Sequence, residues 1–267
     1  MNTRKYLTLT RAGMIEALQF KGAIFSIIIG NLVYLIMIYF LWKAIFASVD
    51  TTTVNGMTFE DTMIYLVLAS ALFYFMEMYL VWEMGRDIQS GKIILDIIKP
   101  MKYPIFKFFQ LSGNFIMFFF ITFLPTFIVV YIVTYGAIHL DYNILFFLVS
   151  VLLGLLINYF IDFFIGTICL YTESIWGINI MKEVIVLLLS GATIPIVFFP
   201  EPLKTVVYYL PFQAIYNSPL RLLIDYSMPF SERIEILGIQ LFWLIIMILV
   251  SGSFWKISLK RITINGG

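Results

Sequence analysis

Residues 143–171 read NILFFLVSVLLGLLINYFIDFFIGTICLY, an apolar run that contains one charged residue, Asp162. A helix needs about 20 largely apolar residues to cross the hydrocarbon core of a bilayer, so this run is long enough to span a membrane. The whole chain agrees, because 61% of its 267 residues are apolar and 12% are charged, against about 25% charged residues in a typical soluble domain. These values exclude a water-soluble enzyme, a disordered chain and a disulfide scaffold.

Similar apolar runs recur along the chain without the alternation of apolar and polar residues that a membrane β-barrel requires. The predicted fold is therefore an all-α membrane protein. Its six predicted transmembrane helices are Ala23–Phe46, Thr62–Trp82, Gln110–Tyr135, Asn143–Tyr171, Ile180–Phe199 and Ile234–Trp255. The first run is too long for the apolar region of a cleavable signal peptide, so we interpret it as a span. Residues 1–22 are predicted to form an interfacial helix, and residues 23–267 to form one six-span domain.

The basic residues are unevenly distributed between the loops, which predicts the orientation of the chain. Of the 17 lysines and arginines, all but four are assigned to one side of the membrane, and this assignment places Lys182 in the fourth loop. The four exceptions are Lys43, Lys204, Arg221 and Arg233. Loops rich in lysine and arginine stay on the cytoplasmic side of a membrane, so both termini are predicted to be cytoplasmic. The net charge of +1 gives no reason to expect a nucleic-acid partner.

The predicted cytoplasmic loop after the second span contains residues 83–100, EMGRDIQSGKIILDIIKP. Ser90 is suited to cap a short helix, and Pro100 to end it. The apolar residues that recur at helical spacing in this helix are Ile93, Ile94, Ile97 and Ile98. The helix is expected either to rest on anionic lipid or to dock in a groove of a cytoplasmic partner. The spacing of Gly85 and Gly91 does not match a phosphate-binding loop, so the chain is not expected to bind ATP itself.

Two acidic residues lie well inside predicted spans, Glu77 in the second and Asp162 in the fourth. Ionisable residues in a membrane are costly and indicate a functional role by default. Asp162 also belongs to a series of small and polar residues at steps of four, a spacing that keeps them on one helix face. The series is Ser150, Gly154, Asn158, Asp162 and Gly166. It predicts either a seam that packs helices together or a polar lining beside a translocation path.

The segment after the fifth predicted span contains two apolar pieces that are too short to cross a bilayer. Pro195 is expected to break or kink the fifth span, and Pro211 separates the two pieces. Two short apolar pieces on one side of the membrane predict a re-entrant helical hairpin at about residues 200–230, packed against protein. The alternative is an outer loop that lies on the membrane surface.

The order of these parts resembles a permease of the ATP-binding-cassette type-2 exporter superfamily. Residues 90–100, SGKIILDIIKP, are similar to the G-x-L-D-x-L-L-x-x-P stretch that follows the second span in one bacterial branch of that superfamily. A second similarity is to the signature of that branch at the end of the fifth span. The residues that carry it are Gly191, Pro195, Pro200, Leu210, Pro211, Phe212 and Pro219.

The resemblance implies a half-transporter in the inner membrane of a bacterium. Two permeases, identical or related, would sit in membrane lipid on two cytoplasmic ATPase subunits, which bind the ATP and magnesium, so this chain would hold no cofactor. Coupling to the ATPase would use about residues 85–104, with the residues Glu83, Arg86, Gly91, Lys92, Ile94, Ile97, Ile98 and Pro100. The substrate path, carried over by span, would include Phe73, Glu77, Leu188 and Thr193. The substrate expected is an amphipathic or hydrophobic drug, peptide or lipid, moved outward.

An intramembrane enzyme is the main alternative, with an ATPase-independent channel or a membrane anchor as others. The chain has no His-Glu-x-x-His or Gly-x-Ser-x-Gly motif, and its one histidine, His139, lies in a predicted outer loop. With one histidine and one cysteine, Cys169, it lacks the residues for an intramolecular disulfide, a cysteine metal cluster or a metal site with two imidazoles. We therefore expect a transport subunit without enzymatic activity of its own.

Overall fold

The computed structural model describes residues 3–19, 21–49, 51–136, 138, 141–172 and 175–261, and most of them are helical. His139 lies outside the described residues. The helices in chain order are α1 (Thr3–Gln19), α2 (Lys21–Ala47), α3 (Phe59–Met76), α4 (Leu80–Gln89), α5 (Ile93–Ile97), α6 (Tyr103–Phe118), α7 (Leu124–Val133), α8 (Asn143–Ile168), α9 (Ile175–Leu189), α10 (Glu201–Tyr208), α11 (Asn217–Ile224) and α12 (Phe230–Ser258). A π-helical segment, Phe119–Phe123, joins α6 to α7, and short 3-10 turns cover Ile196–Phe198, Phe212–Ala214 and Leu259–Arg261.

The one strand pair among the described residues connects α2 to α3. Strand β1 (Thr53–Val54) pairs antiparallel with β2 (Met57–Thr58). The turn between them uses Asn55 and Gly56, both with positive φ, as a two-residue hairpin requires. Thr58 then caps α3 reciprocally with Asp61, which fixes where the second span begins.

Five helical stretches in the described part of the chain are long and apolar enough to cross a membrane. They are Lys21–Ala47, Phe59–Gln89, Tyr103–Val133, Asn143–Ile168 and Phe230–Ser258. They correspond to the first, second, third, fourth and sixth predicted spans. The all-α membrane fold is confirmed, whereas the layout with six full spans is not.

The fifth predicted span, Ile180–Phe199, is the exception. The described part of its helix α9 has 15 residues, about 22 Å at 1.5 Å per residue, which is shorter than the hydrocarbon core. The helix ends at Leu189, before Pro195, because Gly191 adopts a left-handed conformation (φ +81°) just past its end. Lys182, which the count of basic residues assigned to a loop, lies inside α9, so that assignment was wrong.

The second span is not continuous, although an uninterrupted helix Thr62–Trp82 was predicted. Helix α3 ends at Met76 and α4 begins at Leu80. The backbone carbonyl of Met76 is released by this break and accepts a hydrogen bond of 2.9 Å from Nδ2 of Asn158 on α8. A freed carbonyl inside a membrane protein needs such a partner, and Asn158 supplies it from the neighbouring span.

Helix α8 lies at the centre of the bundle and packs against α4, α11 and α12. Its buried face carries the residues at steps of four, namely Ser150, Gly154, Asn158, Asp162 and Gly166. The glycines permit close approach: a Cβ added to Gly154 would lie 3.0 Å from the carbonyl oxygen of Ala214, and one on Gly166 would lie 2.7 Å from Sδ of Met84. Nε2 of Gln240 on α12 donates to the carbonyl of Ser150 at 3.1 Å. These contacts hold α8 to the elements around it.

The N-terminal helix α1 packs against α6. Gly13 and Gly113 face each other there, with no room for a Cβ on either residue. The hydroxyl groups of Thr10 and Ser112 are 2.7 Å apart at the same contact. The segment predicted to be an interfacial helix is thus attached to the beginning of the third span.

Candidate functional site

The elbow is the bend formed by α4, α5 and the first turn of α6, and it contains the predicted coupling segment. Helix α4 ends at Gln89, and the hydroxyl of Ser90 donates to the carbonyl of Arg86 at 2.7 Å. Ser90 therefore ends α4, and the prediction that it caps the following helix was wrong. Lys92 occupies the N-cap position of α5 without a side-chain cap bond. The short helix ends at Ile97, shortly before Pro100, as predicted.

The apolar residues of α5 separate into a buried and an exposed set. Ile93 is buried, and Ile94 and Ile97 are partly buried against the core. Leu95 and Ile98 point outward instead, with 62% and 72% of their surface exposed. Positions three apart lie on one side of a helix, so these two residues form a small exposed apolar surface. The sequence prediction included Ile98 in this surface but missed Leu95.

A buried lysine holds the elbow together. Lys107 of α6 is 1% exposed, and its Nζ lies 2.7 Å from Oδ2 of Asp87 and 3.3 Å from Oδ2 of Asp96. Oε2 of Glu83 is 3.6 Å from the same nitrogen. These four residues, the Lys107 cluster, join α4, α5 and α6. A charge that is removed from water needs paired partners of this kind.

Two further lysines pair with the cluster at its edge. Nζ of Lys99 is 2.6 Å from Oδ1 of Asp96, and Nζ of Lys92 is 3.5 Å from Oδ1 of Asp87. Burial acts to raise the pKa of Asp96, but the hydrogen bonds and charges of Lys99 and Lys107 outweigh it and lower that pKa below its usual value. Asp96 is therefore ionised at neutral pH.

A polar cavity of about 680 Å³ lies beside the cluster, between α1, α4 and α6. Its lining residues are Glu16, Glu83, Arg86, Asp87, Gln89, Ser90, Lys92, Lys107 and Gln110. Three of the predicted coupling residues, Glu83, Arg86 and Lys92, therefore share one cavity.

Two other predicted coupling residues lie at the ends of α5. Gly91 forms the turn between α4 and α5 with φ +72°, and Pro100 is exposed after α5.

Sequence reasoning missed Asp87, Asp96 and Lys107. Glu83 and Asp87 are four residues apart, a spacing that places two acids on one face of a helix. Lys107 stands alone in the apolar run YPIFKFF, residues 103–109. A lone lysine among buried aromatic residues indicates that a carboxylate partner lies nearby, and this signal was available from the sequence.

A second group of charged residues lies near the break in the second span. Lys182 on α9 forms an ion pair with Asp162, its Nζ 3.0 Å from Oδ1. Glu77, at the break, is close enough to Asp162, Lys182 and Glu183 for their charges to interact. Asn179 donates a hydrogen bond to Glu183 on the same helix. This mid-bundle group brings together α8, α9 and the break.

The structure places the four residues predicted to line the substrate path in different surroundings. Glu77 lines a space of about 30 Å³, about the volume of one water molecule, and none of the other three lines that space. Phe73 contacts Tyr216, with ring centroids 6.3 Å apart. Leu188 is exposed on α9, and the hydroxyl of Thr193 donates to the carbonyl of Leu187 at 3.3 Å.

The far end, opposite the elbow, contains the predicted hairpin as the two short helices α10 and α11. Helix α11 is mostly buried and packs against α8 and α3, whereas Val207 is the one buried residue of α10. Tyr65 donates from its hydroxyl to the carbonyl of Gly191 at 3.0 Å. The buried Arg233 donates to the carbonyls of Leu222, Met228, Asp225 and Tyr226, which stabilises the end of α11.

No group of three or more His, Cys, Asp or Glu residues in the described part of the chain is arranged to hold a metal ion. A family model described as "ABC-2 family transporter protein" matches residues 32–266. That range begins inside α2 and includes the elbow, the mid-bundle group and the hairpin. The chain has no significant match to a curated protein.

Proposed function

The chain belongs to the ABC-2 family of transporter proteins and is a membrane permease component of an ABC transporter, and on this premise we propose that it exports an amphipathic or hydrophobic compound. A separate ABC ATPase hydrolyses the ATP, and this chain catalyses no reaction itself. The proposed assembly contains two ATPase subunits and a second permease, identical or related. The protein is a multi-pass membrane protein, and we propose the bacterial inner membrane with both termini cytoplasmic.

The observation that carries the ATPase assignment is the exposed pair formed by Leu95 on α5 and Ile98 at its C-cap position. A surface of two large apolar side chains, presented by a helix that buried ion pairs hold in place, is suited to fill a groove on a partner. The lysines near it, Lys92 and Lys99, are suited to steer an acidic rim of that partner. Of the coupling isoleucines that the sequence named, Ile98 is exposed, whereas Ile94 and Ile97 are partly buried.

The test replaces both exposed residues, Leu95→Asp and Ile98→Asp, in the complex purified with its ATPase. We expect the amount of ATPase that co-purifies to fall at least about tenfold, equivalent to about 1.4 kcal/mol. Tyr135→Asp provides the control, because Tyr135 is 99% exposed at the far end. Full retention of the ATPase by the double variant would show that α5 is not the docking helix.

We place the substrate path beside the mid-bundle group, where Glu77 interrupts the second span. The backbone N–H of Glu77 donates to the carbonyl of Phe73, but its carboxylate has no hydrogen bond or ion pair within the described residues, so we propose that the carboxylate meets the substrate. The test is Glu77→Gln in the reconstituted complex, assayed with a fluorescent amphipathic dye. We expect ATP-dependent dye transport to fall while ATPase binding is retained. Unchanged transport would assign Glu77 to helix packing only.

A further inference from the structure

We propose that Lys107 is a positioning residue that makes α5 move as one body with the second and third spans. The inference rests on the proposed function, in which an ATPase displaces α5. It assigns to the Lys107 cluster the role of passing that displacement into the membrane domain.

One ammonium group connects three helices. Nζ of Lys107 on α6 reaches Asp96 on α5 at 3.3 Å and Asp87 on α4 at 2.7 Å. Glu83, one turn before Asp87 on α4, is 3.6 Å from the same nitrogen. A movement of α5 away from α6 therefore strains the pair between Asp96 and Lys107.

The backbone alone does not hold α5 in place. It is linked to α4 through Gly91, which has φ +72° and open space around its Cα. Helix α5 has five residues, so its own hydrogen bonds give it little resistance to pivoting, and of its apolar side chains Ile93 is buried while Ile94 and Ile97 are partly buried. The pair between Asp96 and Lys107 adds the constraint that the chain connection lacks.

Burial makes this constraint stiff. Lys107 and Asp96 are almost completely shielded from solvent, so water does not readily replace either partner when the pair is strained. Lys99 pairs with Asp96 from the exposed side, and its Nζ also lies 4.0 Å from the centroid of the Phe106 ring on α6. Lys107 is the buried partner that connects Asp96 to the same helix.

The helices that Lys107 connects lead to the two places where movement would be used. Helix α6 continues through the π-helical segment into α7, which ends at the far end. Helix α4 begins at Leu80, directly after the break, where Glu77 lies. A displacement of α5 is thus passed to the far end along one helix and to the mid-bundle group along the other.

The experiment measures an ATP-driven distance change in the purified complex with its ATPase. Nitroxide labels are attached at Tyr135→Cys and Tyr209→Cys, both exposed at the far end, in a Cys169→Ala background. The distance is measured without nucleotide and with ATP plus vanadate. The deciding variant is Asp96→Asn, which removes the charge on α5 and keeps the pair between Asp87 and Lys107. Lys107→Met is the more severe variant, and Lys107→Arg the conservative one.

We expect Asp96→Asn and Lys107→Met to reduce the ATP-driven shift at least about threefold, with ATPase binding and ATP hydrolysis within about twofold of the parent. Lys107→Arg should retain the shift, since it keeps the charge. Lys256→Met, an exposed lysine on α12, is the matched control and should also retain it. A purely structural role would lower ATPase binding and the distance shift together.

A full shift in Asp96→Asn would overturn the inference, as would loss of ATPase binding in that variant. If Lys107→Met does not assemble, Asp96→Asn and Lys107→Arg still decide the outcome. A parent protein that binds no ATPase would contradict the proposed function itself. If instead the parent binds its ATPase and all variants keep the distance shift, only the proposed role of Lys107 is contradicted.

Discussion

Two lysines that ion pairs hold inside this protein, the buried Lys107 and the largely buried Lys182, have different surroundings. Lys107 in the elbow has three carboxylates within 3.6 Å, and these come from two other helices. Lys182 in the mid-bundle group has one ion-pair partner among the described residues, Asp162 at 3.0 Å. The first lysine joins three helices at one point, whereas the second joins α9 to α8 only.

The difference shows how one kind of side chain serves two mechanical roles. A charge with several partners on different helices fixes their relative positions, because the loss of any one partner leaves the other ion pairs in place. A charge with one partner forms a contact that is lost in a single step. Helix α9 has few buried residues of its own, namely Ile175, Asn179 and Val186. We therefore expect the elbow to move as a unit and α9 to move separately.

The largest expected effect is that of Lys107→Met on stability. The substitution leaves three acids without their central partner, and removing one member of a buried ion-pair group costs about 3–5 kcal/mol. We expect that loss in the free energy of unfolding, measured by denaturation in mixed micelles. Adding Asp87→Asn should restore less than half of it, because Glu83 and Asp96 remain. If Lys107→Met lowers the free energy of unfolding by less than about 1 kcal/mol, Lys107 does not hold the three helices of the elbow together.

The single pair in the mid-bundle group should behave differently in the same assay. Lys182→Met is expected to cost about 3 kcal/mol, because Asp162 then lies buried without its partner. The double variant Asp162→Asn with Lys182→Met removes both charges, and we expect its stability to return to within about 1 kcal/mol of the parent. If the double variant is as unstable as Lys182→Met, then Asp162 has other important partners.

The parts of the molecule that could be predicted from sequence are those that depend on one segment alone. The apolar run of α8 and its buried residues at steps of four, such as Asn158, follow from helical periodicity. The order of the parts was enough to recognise the permease family. The short helix α5 and its end before Pro100 follow from local turn chemistry.

The features that were missed depend on contacts between segments. Nothing near Glu77 marks a break, because the break depends on Asn158 from another helix to satisfy the carbonyl of Met76. The early end of α9 depends on the conformation of Gly191, which packs close to Tyr65 of α3. The Lys107 cluster requires α4, α5 and α6 to fold back on one another, which composition and spacing do not specify.

A smaller effect is expected where the second span breaks. Asn158→Leu removes the donor to the carbonyl of Met76 and leaves a buried acceptor without a partner. Such a loss costs about 1–3 kcal/mol. We expect this decrease in the free energy of unfolding, and faster amide hydrogen exchange at Glu77–Tyr79 than in the parent. Unchanged exchange at these residues would mean that the break does not depend on Asn158.

The smallest effect concerns the pH dependence of the elbow. The folded state lowers the pKa of Asp96 because Lys99 and Lys107 favour its charged form over the opposing effect of burial. A lowered pKa gives stability that is fully present above the unfolded value of about 3.9 and is lost as the pH falls through the folded value. We expect Asp96→Asn to be less stable than the parent by about 1 kcal/mol from pH 8 to pH 5, because the charged hydrogen bonds are then complete. The difference should narrow only below about pH 4. If the difference in stability between Asp96→Asn and the parent already disappears near pH 6, Asp96 is not held in its charged form. The elbow would then resemble the single pair of Lys182 and Asp162 more than a cluster of three acids around one lysine.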